Sequence, residues 1–153
     1  MFRTRPVAIT AVVLAISLPI AACGGGGDDD ESFKEDYNAA VKPLTELNSD
    51  IGDSLGGAGG QSNAAIAKEF DKLASKAQET RDNLAGLDPP EDAKEEFDNL
   101  VSALKDGADD LKAVADAARD GNPAEARQAG QDLVKSGSAV QEAETKLQKA
   151  VDG

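Results

Sequence analysis

The side chains that could perform chemistry are unevenly represented in this chain. Its 153 residues include one cysteine, Cys23, and no histidine, whereas 29 residues are aspartate or glutamate. Without histidine the chain lacks the most common general base, the usual activator of serine and cysteine nucleophiles, and the most common transition-metal ligand. Haem attachment through CxxCH and histidine-containing di-iron sites are also excluded. We therefore expect the protein not to be an enzyme.

Acidic residues remain as candidates for a metal site, but their spacing is not that of a calcium loop. They cluster at Asp28-Asp29-Asp30, Glu95-Glu96 and Asp109-Asp110. None of these follows the D-x-D-x-D-G pattern, and residues 116–121 read DAARDG, with alanine where a ligand is required. We expect a solvated acidic surface that binds no metal and no cofactor.

The single thiol of Cys23 ends an apolar segment near the start of the chain. Arg3 and Arg5 come first, and residues 7–22 are almost without polarity. This run is shorter than the roughly 20 residues that cross a bilayer as a helix. A charged start followed by a short apolar run is typical of a secretory signal peptide.

The end of this segment, Ile20-Ala21-Ala22-Cys23, resembles the lipobox of bacterial lipoproteins: an aliphatic residue, two small residues and cysteine. The resemblance implies that residues 1–22 are a lipoprotein signal peptide cut after Ala22, and that Cys23 is acylated on its sulfur. It also implies a lipid-anchored location on the extracytoplasmic face of the cell membrane. The alternative is a free thiol behind an ordinary cleavage site, which would be prone to oxidation or intermolecular pairing.

Residues 24–32 read GGGGDDDES and contain too little apolar surface to offset the entropy of ordering them. Together with the lipidated Cys23 they are predicted to form a flexible tether, residues 23–32. Without residues 1–22 the chain retains 14 basic and 29 acidic residues, a net charge of −15. Because anionic lipid and nucleic acid repel such a chain, we expect no nucleic-acid partner and attachment to the membrane through the lipid alone.

Residues 33–153 are predicted to fold as one domain. Apolar residues recur there at three- and four-residue spacing, which places one apolar stripe on each of four helices. The four stretches cover residues 33–55, 66–87, 93–118 and 126–151, with glycine or proline residues between them. Short connections imply antiparallel neighbours, so the predicted fold is an all-α, up-down-up-down four-helix bundle.

Two prolines carry local information about these helices. Asn122 before Pro123 has the form of a helix cap followed by proline at the first helical position. Pro43, inside the first stretch, either kinks that helix or marks its start. The apolar stripe continues in register on both sides of Pro43, which favours the kink.

In adjacent antiparallel helices, residues at equal distances from the connecting loop lie at the same level. Pairing them in this way predicts which residues share a layer of the core. One layer combines Leu47, Phe70, Gly107 and Gly137. Glycine within a helix costs roughly 1 kcal/mol relative to alanine, so some benefit must offset it. We expect the Phe70 ring to fill the space beside the two glycines; the alternative is a small apolar pocket or a bend at residues 136–138.

Tyr37 is predicted to lie level with Thr80, Phe97 and Leu147. We expect its ring at the edge of the core, with the hydroxyl bonded to Thr80 or to water.

Residues 84–126 resemble small helical lipoproteins of high-GC Gram-positive bacteria, in which Leu-x-x-Leu, a diproline, an acidic helix start and Phe-x-x-Leu precede a helix opened by Gly-Asn or Gly-Asp. The resemblance implies a helical bundle in the same compartment and no assigned activity. We expect an extracytoplasmic module that binds another envelope protein or has a structural role. The alternative is a bundle that binds a small ligand or a lipid between its helices.

Overall fold

The structure, a computed structural model, describes residues 28–152. This part of the chain folds into four α-helices packed against one another, without strands, which confirms the predicted all-α four-helix bundle. The helices are α1 (Asp28–Gly57), α2 (Asn63–Ala85), α3 (Lys94–Arg119) and α4 (Pro123–Asp152), and a short 3-10 helix, Ala58–Gly60, follows α1. None of these helices is long and apolar enough to cross a membrane.

Polar contacts between successive helices show that neighbours run in opposite directions. Ser54 on α1 donates to Glu69 on α2 across 2.7 Å, and Arg119 at the end of α3 donates to Asp71 in the first half of α2 across 2.7 Å.

Helix α3 is the central element of the bundle. Its backbone approaches those of α2 and α4 closely over a long distance, whereas α1 is close mainly to α2. The side of α3 that faces its neighbours consists of large aliphatic residues, one aromatic ring and small alanines. Its buried residues are Phe97, Leu100, Leu104, Ala108, Leu111, Val114, Ala115, Ala117 and Ala118.

The connection between α3 and α4 is fixed by backbone hydrogen bonds. Gly121 has a φ of 63°, and the N–H groups of Gly121 and Asn122 donate to the carbonyls of Ala118 and Ala117 at 3.1 and 3.0 Å. This is a Schellman motif, in which glycine adopts the left-handed conformation that closes a helix. The Asn122 side chain then accepts from the N–H groups of residues 124 and 125, which confirms the predicted cap.

The first helix begins earlier than the sequence analysis predicts. Helix α1 starts at Asp28, so residues 28–32, which the sequence assigns to the tether, are helical. Cys23 and the remainder of the predicted tether, residues 24–27, lie outside the described residues.

Helix α1 is continuous through Pro43, so this proline does not mark its start. Proline has no N–H, which leaves the carbonyl of Ala39, four residues earlier, without its helical hydrogen bond. Both residues are exposed, and water can therefore solvate that carbonyl.

We predict that Pro43→Ala stabilises the protein. Alanine restores the missing hydrogen bond and removes the clash of the proline ring with the preceding turn, which together cost up to about 3 kcal/mol. We expect the free energy of unfolding to rise by about 1–3 kcal/mol in urea titrations followed by circular dichroism. An unchanged or lower free energy of unfolding would contradict the predicted cost of Pro43.

Candidate functional site

The candidate site consists of two positions at which a polar side chain of α4 meets another helix. One lies between α3 and α4, where Gly107 faces Ser136. The other joins α1 to α4, where Tyr37 lies within electrostatic range of Glu144. Cys23, the predicted lipidation site, is outside the described residues, so its modification stays a prediction.

The predicted glycine layer is wrong in its central contact. A β-carbon built on Gly107 would meet one atom within 4 Å outside its own helix, the Oγ of Ser136 at 3.8 Å. The Phe70 ring therefore does not fill the space beside Gly107, although Phe70 is only 1% exposed. The facing residue on α4 is Ser136 rather than Gly137, because the true register differs by one residue from the reflection through the connection.

The segment around Gly137 stays helical. Helix α4 runs without interruption from Pro123 to Asp152. The hydroxyls of Ser136 and Ser138 donate to the carbonyls of Leu133 and Val134, each at 3.0 Å. Such bonds back to the preceding turn bend helices slightly. A bend at residues 136–138, the alternative that the sequence leaves open, would arise from these two serine hydrogen bonds.

Asp110 on α3 lies beside this serine. Burial raises the pKa of Asp110, the Ser136 hydroxyl lowers it, and the charges of Asp132, Asp106 and Asp109 raise it again. Asp132 itself is paired with Lys135 at 2.7 Å. Among the described residues, no group of three or more potential ligands is arranged to hold a metal ion.

Tyr37 is fixed by aromatic contacts at one end of the bundle. It is 3% exposed. Its ring centroid lies 5.9 Å from that of Phe33, and Phe33 meets Phe97 edge to face at 5.6 Å. Thr80 is buried too, but its hydroxyl donates to the carbonyl of Lys76 at 2.9 Å instead of to Tyr37.

Glu144 is the residue of this site that the sequence analysis missed. It is half-buried on α4, and burial raises the pKa of its carboxyl group to about 7. Burial also raises the pKa of the Tyr37 phenol, and the charge of Glu144 raises it further. Glu144 follows Val140 by four residues and precedes Leu147 by three, so it shares the spacing of the apolar stripe.

These two positions contribute carboxyl, hydroxyl and phenol groups, and near neutral pH Glu144 is the group poised to gain or lose a proton. Its ionisation acts on the Tyr37 phenol of α1 through charge. Comparison of the chain with protein-family models, curated proteins and solved structures finds no match.

Gly107→Ala tests how tightly the space beside Gly107 is filled. The added β-carbon of Gly107→Ala would make ordinary van der Waals contact with Ser136, and alanine favours the helix and restricts the unfolded chain. We expect a gain of about 0.4–1 kcal/mol in the free energy of unfolding. A lower free energy of unfolding in urea titrations would indicate that the space beside Gly107 is tightly filled after all.

Gly121→Ala is the matched control for this glycine substitution. Gly121 has a φ of 63° and its added β-carbon would approach the Asn63 amide nitrogen to 3.3 Å. Left-handed backbone costs a non-glycine residue roughly 1–2 kcal/mol, so the same change should destabilise the protein here.

The buried carboxyl group of Glu144 makes the stability of the protein depend on pH. Its pKa is about 7 in the folded protein against 4.5 ordinarily, so the folded state binds its proton more tightly than the unfolded state. The associated stability is present below pH 4.5 and is lost as the pH rises through 7. Glu144→Gln should therefore be more stable than the native chain at pH 8, and the difference should shrink towards pH 5.

One pKa unit corresponds to about 1.4 kcal/mol, and partial solvent access reduces the effect. We expect the stability difference between Glu144→Gln and the native chain to change by about 1–2 kcal/mol between these pH values. The control is Glu142→Gln, an exposed residue paired with Lys146 at 2.9 Å, which should show no such change. A parallel response of both variants would contradict a special role for Glu144.

Proposed function

We propose that the protein is a membrane-anchored extracytoplasmic lipoprotein whose helical bundle is a protein-binding or structural module of the cell envelope. The observation that carries this proposal is the position of the single cysteine. Cys23 directly follows Ile20-Ala21-Ala22 at the end of a short apolar run that begins behind two arginines. Acylation of this thiol accounts for its occurrence and for its place in the chain.

The charge of the chain favours attachment through a lipid rather than through the surface of the bundle. After removal of residues 1–22 the net charge is −15, and anionic head groups repel an acidic protein. A covalent lipid anchor supplies the membrane affinity that this surface does not.

The surface of the bundle also limits how a partner would be recognised. Val134 is the exposed large apolar side chain of the described residues, at 42% exposure. One such residue does not make the broad apolar patch of a large protein interface. We therefore expect a protein partner to be bound mainly through polar and charged contacts, which are sensitive to salt.

Lipidation predicts that Cys23→Ser abolishes acylation, because the chain contains no other thiol. The full-length chain would be expressed in a bacterium that processes lipoproteins and labelled with a fatty-acid probe. We expect the label and the membrane association to be lost together, and retained label in Cys23→Ser would overturn the proposal.

A double variant, Cys23→Ser with Ser32→Cys, is the matched control. It keeps one thiol in the same region but moves it nine residues along the chain, so that it no longer follows the small residues at 21 and 22. It should stay unlabelled if the position after Ala22, and not merely a free thiol, determines acylation.

Crosslinking in intact cells separates a module that binds proteins from the alternative. A crosslinked envelope protein whose yield falls with rising salt supports the proposal. A co-purifying lipid or small molecule without a crosslinked protein would favour a ligand-binding bundle instead.

A further inference from the structure

We propose that the bundle stands on the membrane with its most acidic end towards the lipid head groups. Charge repulsion holds this end away from anionic lipid, as far as the chain between Cys23 and Asp28 allows. The acidic end is formed by residues 28–36, 86–98 and 145–152. The inference rests on the proposed acylation of Cys23.

Contacts between the helices show that these three segments share one end of the bundle. Phe33, near the start of α1, meets Phe97, near the start of α3, with ring centroids 5.6 Å apart. Helix α4 packs back along α3 from the short connection at Gly121, which brings the last turns of α4 to the end where α3 begins. The opposite end is equally defined, because Gly121 in the α3–α4 connection lies beside Asn63 at the start of α2.

The charge is unevenly distributed between the two ends. The three segments of the acidic end contain 13 acidic and four basic residues, a net charge of −9. At the opposite end, residues 48–66 and 113–129 contain five acidic and two basic residues, a net charge of −3. The acidic end thus carries most of the net charge of the mature chain.

The start of α1 determines which end lies nearest to the anchor. Asp28 is five residues after Cys23, and an extended chain spans at most about 3.6 Å per residue, or about 18 Å in total. A helix of 30 residues is about 45 Å long at 1.5 Å per residue. The acidic end therefore stays near the membrane, whereas the opposite end can extend well beyond the reach of the connection.

Screening sets the range over which the acidic end is repelled. The Debye length is about 8 Å at physiological ionic strength. The chain between Cys23 and Asp28 spans at most about 18 Å, which is roughly two Debye lengths. The acidic end can therefore move to a distance at which salt screens most of its repulsion by an anionic surface. On a membrane without net charge this repulsion is absent, and the acidic end approaches the head groups.

The test uses two matched cysteine substitutions at opposite ends of α2. Ala85→Cys lies in the last turn of α2, beside the acidic end, and Ala64→Cys lies in its first turn; both positions are exposed. Acylated Cys23 has no free thiol, so one fluorophore binds per chain at the introduced cysteine. Two fluorophores per chain would show that Cys23 is not acylated, which overturns the proposed function and is distinguishable from failure of this inference.

The labelled, acylated proteins would be inserted into phosphatidylcholine vesicles, with or without phosphatidylglycerol, that contain lipids with a nitroxide on the head group. We expect stronger quenching of the fluorophore at residue 85 than at residue 64 in both kinds of vesicle. Raising NaCl from about 0.01 M to about 1 M, which shortens the Debye length from about 30 Å to about 3 Å, should increase quenching at residue 85 about twofold in anionic vesicles only.

Removing charge from the acidic end provides the second arm. In the Ala85→Cys background, Asp88→Asn with Glu91→Gln should increase quenching in anionic vesicles at low salt and reduce its dependence on NaCl; both residues are exposed. Equal quenching at residues 64 and 85 would overturn the orientation. A response to salt that is the same in neutral and anionic vesicles would overturn the electrostatic repulsion.

Discussion

The apolar side of α3 is the surface on which the rest of the bundle depends. It is covered by α2 and α4 along most of its length and by α1 at the Phe33–Phe97 contact. The described helices have few aromatic rings and no disulfide to hold them together. Their association therefore depends on burying aliphatic and alanine side chains, whose contribution scales with the apolar area removed from water.

The placement of the helices could be predicted from the sequence because it depends on local signals. Asn122 and Pro123 determine where α4 begins, and glycine and proline separate the four apolar stretches. The start of α1 was missed because a run of aspartates has the composition of a disordered tether and also that of a first helical turn. Composition alone does not distinguish these two states; the packing of the apolar stripe that follows decides between them.

The contacts within the candidate site could be predicted only in part. Tyr37, Phe97, Thr80 and Leu147 are all buried as expected, since spacing determines which side of a helix faces the core. The Gly107 contact was wrong because register between helices depends on the geometry of each connection, and an error of one residue exchanges Gly137 for Ser136. Glu144 was missed because the helices were identified from the spacing of apolar residues. A carboxylate with the same spacing is not counted in such a pattern.

The order of the close helix pairs has a consequence for how the bundle forms. Each extensive contact joins helices that follow one another in the chain: α1 with α2, α2 with α3, and α3 with α4. Folding then requires the closure of short loops rather than the meeting of distant segments, and helical proteins rich in local contacts fold within microseconds to milliseconds. A chain of this topology can assemble hairpin by hairpin, with each added helix completing the cover of the one before it.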